Sequence, residues 1–322
     1  MPALAPKLVY HPAYNISFFG LERLHPFDSR KYGRAYKLLR QEFGRAALKA
    51  ATLRPPGPIS RAELLAVHTP EYLDKLRDPK YVAGVLELPP LRRAPGWLAD
   101  WRVLRPMRWA TAGTVLAAEA AIECGLVMNL GGGYHHASQE LGHGFSAYAD
   151  VGLAVDRLRR TGRLGPDDLV AHVDLDAHQG DGVCRTFFGD RRVFILDCYH
   201  GGIFPLDSRA RGRVDCNLPL KDRCPEADYQ STVRAELPRF LDSICRGGRV
   251  KLAIYNAGTD PFVGDQLGRL CVSADGLFER DQFVIDELTD RGLPTVVLTS
   301  GGYSAESYRF VARTAAYVLR KG

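Results

Sequence analysis

The stretch His172-Val-Asp-Leu-Asp-Ala-His-Gln-Gly-Asp-Gly182 constrains this chain more than any other. Leu169, Val170, Ala171, Val173 and Leu175 make a run apolar enough for a buried strand, yet Asp174, Asp176, His178 and Asp181 fall within eight positions. Burying an ionised carboxylate without a partner is expensive, so two acids in a core strand need a cation. Residues 174, 176 and 178 share one face of an extended chain. Asp and neutral imidazole together suit a divalent ion such as zinc. The stretch reads as a metal site at the end of a buried strand.

From residue 108 onward, helical and strand patterns alternate. The spacing predicts helices over 108–124, 147–161, 226–246, 273–292 and 304–320, and strands over 126–130, 169–176, 193–196, 250–255 and 295–298. Earlier, Lys7-Leu-Val-Tyr10 reads as a short strand and 30–51 as one helical run. Ser60-Arg-Ala-Glu63 has the form of a capping box, and Pro70 opens a helix after Thr69. Residues 78–107 read as loop and short helices. Buried strands alternating with helices give an α/β fold, a mostly parallel sheet with helices on both faces, and 1–322 reads as one domain.

Each of these strands runs straight into glycine-rich or polar chemistry. Gly131-Gly-Gly-Tyr-His-His136 follows the first, Asp197-Cys-Tyr-His200 the strand at 193, Asn256-Ala-Gly-Thr-Asp260 the strand at 250, and Thr299-Ser-Gly-Gly-Tyr303 the last. In a parallel sheet all these exits lie along the carboxyl edge, where open α/β sheets place ligands.

A catalytic zinc wants three protein ligands and an open position. Asp176 and His178 supply two, and Asp260, on another strand exit, is the third. His135 and His136 follow three glycines, a backbone that lets a ligand come close. Asp174 and Asp181 are then free to hydrogen-bond the two imidazoles and fix their tautomers. One histidine activates water and the other stays charged or protonates the leaving amine, with the order left open. Tyr303, beside the Gly301-Gly302 backbone that we count among the substrate-binding residues, donates to a developing oxyanion. Phe145 and Phe204 wall a slot for an alkyl chain, and His143, between two glycines at the same mouth, is left without a role.

Bulk properties set the limits. A chain of 322 residues that is 46% hydrophobic can enclose such a site. The net charge of +6 is spread out, and Arg157–Arg160 and Arg209–Arg213 read as solvated faces, so no specific nucleic acid is expected. Seven cysteines with no C-x-x-C pair argue for reduced thiols. No run reaches the length of a membrane span, and Met1-Pro-Ala-Leu-Ala-Pro6 lacks the order of a signal peptide, so the expected location is cytoplasmic.

These motifs, in this order, resemble the arginase/deacetylase superfamily and, within it, the zinc-dependent histone deacetylase family. Tyr14–Asp28 and Tyr255–Gly268 resemble its class IV branch. The resemblance implies one zinc on Asp176, His178 and Asp260, catalytic His135 and His136, and Tyr303 polarising the scissile carbonyl. It implies a narrow acyl-lysine tunnel along Gly144, Phe145, Phe204 and Leu267, with Gly133 accepting from the substrate chain. It also implies a monovalent cation (K+) near Asp174, where Asp197 stands in place of the usual Ser, and puts Lys31 near where relatives carry an Arg behind the pocket. The expected reaction is hydrolysis of N-ε-acyl-lysine in proteins or peptides, with a class IV leaning to long fatty acyl groups.

Three rivals remain. An acetylpolyamine amidohydrolase acting on a small acylated amine usually carries an inserted loop, which has no clear equivalent here. A di-manganese ureohydrolase needs bridging carboxylates where Gly180 and Gly258 stand. A non-catalytic binding protein would ordinarily have lost one of the site residues. Oligomeric state stays open.

Overall fold

Eight apolar segments pair side by side, every pair parallel, in the computed structural model, which describes residues 7–17, 20 and 26–321. The strands are β1 Leu8–Val9, β2 Thr52–Leu53, β3 Leu126–Asn129, β4 Leu169–Asp174, β5 Val193–His200, β6 Cys216–Leu220, β7 Val250–Asn256 and β8 Thr295–Leu298. Their order across the sheet is β2-β1-β3-β8-β7-β4-β5-β6. The sequence reading of a helix-flanked, mostly parallel sheet holds, and among the described strands no pair is antiparallel.

Both faces of the sheet are buried, which is why the strands are apolar at successive positions rather than alternately. Ala171, Val173, Ala253, Tyr255 and Val297 point into one core, against Leu39, Leu237, Val284 and Ala315 of four helices. Val170, Ile195, Leu252, Ile254 and Val296 point into the other, against Ala117, Ala121, Val151 and Leu158 of the helices Arg105–Cys124 and Asp150–Arg160. Register then levels the strand exits: Asp174 pairs with Asp197 on one side and with Asn256 on the other, and Asn256 pairs with Leu298, itself opposite Asn129. Motifs far apart in the chain therefore leave the sheet side by side.

Local signals set most boundaries. Ser60 and Glu63 form the reciprocal capping box, and Thr69 caps the helix that Pro70 opens. The structure departs from expectation where a backbone special intervenes. Gly44, at φ 79°, splits the run over 30–51 into Lys31–Phe43 and Arg45–Ala50, and the chain then turns into β2. β5 runs through Asp197 to His200, so this motif is strand and not loop. β6 was not foreseen; it is an edge strand, where Pro219 can sit without breaking a central ladder. The helix Asp181–Thr186 was hidden inside the acidic motif. Arg213, expected on a solvated face, is 2% exposed and donates to the carbonyls of Phe187 at 2.8 Å and Asp190 at 3.0 Å. Part of the Tyr14–Asp28 motif, residues 18, 19 and 21–25, lies outside the described residues.

Arg280 locks two of the exits together. Fully buried in the helix Ala274–Asp290, it donates to the Leu175 carbonyl at 3.2 Å and the Gly258 carbonyl at 2.8 Å, and pairs with Asp281 at 2.7 Å. Removing one side of a buried ion pair costs about 3–5 kcal/mol. Arg280→Ala is therefore expected to lose stability on that scale in urea unfolding, and a wild-type midpoint would sink this account of the clamp.

Candidate metal and catalytic site

The glycine loop after β3 is pinned by an acid the sequence reading overlooked. Asp150, at the start of its helix, accepts from the Gly133 and Tyr134 amides at 2.8 and 2.9 Å and from Thr114 Oγ1 at 2.7 Å. Its only sequence signal is an acid opening an apolar helix. Gly132, at φ 76°, has no room for a side chain, since a Cβ would stand 2.2 Å from Thr114 Oγ1. The loop then delivers His135 and His136, whose rings lie 4.1 Å apart. The Val183 amide donates to the His135 carbonyl at 3.0 Å, tying the loop to the helix Asp181–Thr186.

Both histidines find the carboxylates expected for them. His135 Nδ1 lies 2.9 Å from Asp174 Oδ2, and His136 Nδ1 lies 2.8 Å from Asp181 Oδ1. Their environments push them apart. Burial, which disfavours an imidazolium, is outweighed at His135 by the Asp174 and Asp176 charges, and its pKa rises to about 10. At His136 burial, joined by the neighbouring His135 charge, prevails over Asp181 and holds the pKa down to about 4. One imidazole is kept charged and its neighbour neutral.

Asp176, His178 and Asp260 also converge: a ligand atom from each lies within 4.8 Å of the others, and all three are buried. The Gly301 amide donates to Asp176 Oδ2 at 2.7 Å, the His178 amide to Asp176 Oδ1 at 3.0 Å, and the Ala177 amide to Asp260 Oδ1 at 2.8 Å. Burial and the Asp176 charge together push Asp260 up to about 7, the sign of two carboxylates crowded without enough positive charge. Two hard oxygen donors and one imidazole, oriented by backbone amides, fit a divalent ion. Glycine is required around them, since a Cβ on Gly301 would lie 2.5 Å from Asp176 Oδ2 and 2.6 Å from Asp260 Oδ2, and one on Gly258 would lie 2.6 Å from Asp176 Oδ2.

Tyr303 stands across the site, its ring 5.7 Å from the His178 ring. Burial, then the Asp176 and Asp260 charges, raise its pKa well above the usual phenol value, so it keeps its proton. Its amide donates to Asp265 Oδ2 at 2.6 Å, while Asp265 Oδ1 accepts from the Leu267 amide at 2.9 Å. Gly302, at φ 137°, lies so close to Thr259 that a Cβ would be 2.0 Å from its hydroxyl.

The expected tunnel residues divide. A cavity of about 20 Å³ is bounded by Gly133, His135, Gly144, Phe145, Gly301 and Tyr303. Phe204 stands outside that lining but packs 5.1 Å from the His136 ring, and a Cβ on Gly144 would meet it at 2.8 Å. Leu267 does not line this cavity; its amide is bound to Asp265, whose other oxygen accepts from the Tyr303 amide. The Gly133 carbonyl accepts from Ser300 Oγ at 3.1 Å, which leaves its second lone pair for the substrate chain.

Lys31 fills the space behind the site, fully buried, donating to the Ser300 and Gly301 carbonyls at 2.8 and 3.1 Å. Burial lowers its pKa to about 8, against the pull of Asp176 and Asp260. Beyond it an apolar cavity of about 40 Å³ is bounded by Phe27, Tyr32, Leu86, Met107, Tyr134 and Phe145. Phe27, Tyr32 and Leu86 were not foreseen there.

Comparisons with known proteins agree with this geometry. The family model described as "Histone deacetylase domain" matches residues 25–320. The chain is 38% identical to "Histone deacetylase 2" of Arabidopsis thaliana over 322 residues, covering all of this chain and 81% of the relative. It is 30% identical to an uncharacterized protein of Picosynechococcus, covering 95% of each. In fold it is similar to a histone deacetylase homologue from Aquifex aeolicus, with a TM-score of 0.73 and 19% identity over 98% of this chain and 84% of that one. It is also similar to an acetylpolyamine aminohydrolase from Burkholderia pseudomallei, with a TM-score of 0.71 and 20% identity over 98% of both chains. This chain belongs to the histone deacetylase family.

Proposed function

We propose that the chain is a zinc-dependent hydrolase that removes acyl groups from the ε-amine of lysine side chains, a class IV-like member of its family. The observation that carries this reading is the convergence of Asp176, His178 and Asp260 with a charged and a neutral imidazole and a protonated phenol. A zinc ion held by those three residues supplies a Lewis acid for the amide carbonyl. His136, neutral and oriented by Asp181, takes a proton from the attacking water and passes it to the leaving amine. His135 stays charged between Asp174 and Asp176 and stabilises the anionic transition state. The Tyr303 hydroxyl donates to the developing oxyanion.

Two further features support the reading. Asp197 Oδ1, fully buried beside Asp174, has no hydrogen-bond partner among the described residues, which fits the monovalent cation of the family. All seven cysteines are free, which accords with a reducing compartment, and no helix among the described residues is long and apolar enough to cross a membrane.

The acyl group would enter the cavity beyond Phe145 and Tyr134. Its volume of about 40 Å³ is a few times the roughly 10–15 Å³ that one water needs on the same measure. An acetyl methyl fits there, whereas a long fatty chain needs the lining side chains to move. The size of the cavity thus favours short acyl groups over the long ones to which the class IV resemblance leans.

Tyr303→Phe and His136→Ala should each cut turnover by about 10²-fold or more, because each removes a group acting in the transition state. Wild-type rates in either variant would refute the role given to that residue. Gly301→Ala should weaken zinc binding by about 10-fold or more in a competition titration, since residues orienting the ligands matter on that scale; unchanged affinity would put the metal elsewhere. Across lysines carrying acetyl through myristoyl groups, with acetylated polyamines alongside, kcat/KM should be highest for acetyl-lysine. It should fall by about 10-fold or more for the longest chains, the usual cost of overpacking. A myristoyl rate at or above the acetyl rate would restore the long-chain preference, and selective turnover of polyamines would transfer the substrate class.

A further inference from the structure

Asp181 serves two imidazoles at once. His136 Nδ1 lies 2.8 Å from its Oδ1, and His143 Nε2 lies 2.8 Å from its Oδ2. Asp181 is completely buried, while the His143 side chain is 24% exposed, so the chain of contacts runs from the catalytic interior to the surface.

The backbone is built to hold His143 there. A Cβ on Gly142 would lie 2.2 Å from the Tyr72 hydroxyl, and one on Gly144, at φ 51°, would lie 2.5 Å from His136 Cδ2. The Ser146 amide donates to the His143 carbonyl at 2.8 Å and closes the turn. The His143 ring packs 5.2 Å from Phe204 and 5.5 Å from the His136 ring. The other charged groups nearby come from the helix Asp181–Thr186 and the loop beyond β5: Arg185 Nε approaches Asp181 Oδ2 to 3.7 Å, but its guanidinium is engaged by Asp207. His143 is thus the closest donor to the second oxygen of Asp181.

We infer that His143 is a positioning residue for the amide cleavage proposed above, on which this inference rests: by holding Oδ2 of Asp181 it fixes the carboxylate that orients His136. A carboxylate whose second oxygen is bound cannot rotate, so the His136 ring keeps its direction toward substrate.

The test compares the zinc-loaded full chain with His143→Ala and His143→Gln. Glutamine keeps an N–H for Asp181, whereas alanine removes it. We expect His143→Ala to lower kcat by about 10-fold with little change in KM, and His143→Gln to recover most of that loss. Equal losses in both variants, or no loss in either, would overturn the inference and leave His143 a structural contact. Downfield imidazole N–H proton signals read the Asp181 pair without turnover. Beside the signal of His135 on Asp174, the wild type should show one for each imidazole bound to Asp181; His143→Gln should keep that of His136, and His143→Ala should broaden it; a His136 signal indifferent to both substitutions overturns the inference. If the wild type turns over no acylated amine, the hydrolase reading fails, while these proton signals still decide whether His143 orders Asp181.

Discussion

Asp176 and Asp260 are two fully buried anions on neighbouring strand exits, and much of the surrounding structure serves to hold them there. Backbone amides of Gly301, His178 and Ala177 stabilise their oxygens from one side. Lys31 lies behind, and Arg280 secures the Leu175 and Gly258 carbonyls one and two residues away from the two acids. Even with Lys31 behind the pair and the charged His135 beside Asp176, these contacts leave Asp260 pushed up by its neighbour. The energetic cost of such crowding explains the glycines. Gly258 and Gly301 touch the carboxylates directly, and any larger residue would separate the groups whose closeness creates the site.

The same logic spreads outward in layers. The imidazoles are held by Asp174 and Asp181, the glycine loop that carries them by Asp150, and the phenol's backbone by Asp265. Each of these acids is buried or partly buried and accepts from backbone or imidazole N–H groups, which keeps it from becoming an uncompensated charge. The imidazoles and the phenol are thereby fixed by acids around them, and the sheet register levels the strand exits that carry them.

How much of this can be seen in the sequence depends on distance along the chain. The strand exits, the two histidines and the group Asp176, His178 and Asp260 carry short motifs, and their convergence follows from parallel order alone. Asp150, Asp265 and Arg280 carry no such mark. An acid at a helix start looks like any cap, and a buried Arg looks like a surface one until its partners, Leu175 and Gly258, are folded against it. β6 escaped notice because Pro219 reads as loop, and only an edge position makes it acceptable in a sheet. Leu267, which the resemblance puts along the tunnel, also binds through its amide the acid that holds the Tyr303 amide, a contact its motif does not announce. Spacing in sequence reveals what a residue type can do, whereas a supporting contact is a property of two distant positions and appears only in the fold.

The pair His135-His136 shows why supporting contacts decide chemistry. The two residues are adjacent, equally buried and each bound to one Asp, so composition offers no way to tell them apart. The difference lies one contact further out. His135 has a second carboxylate, Asp176, at 3.8 Å, whereas the carboxylate of His136 is shared with His143, and its other near neighbour is the apolar ring of Phe204. Desolvation therefore prevails at one imidazole and electrostatic attraction at the other, which gives an acceptor and a fixed cation from identical side chains. A division of labour of this kind needs unequal surroundings, and the turn Gly142–Gly144 supplies the inequality.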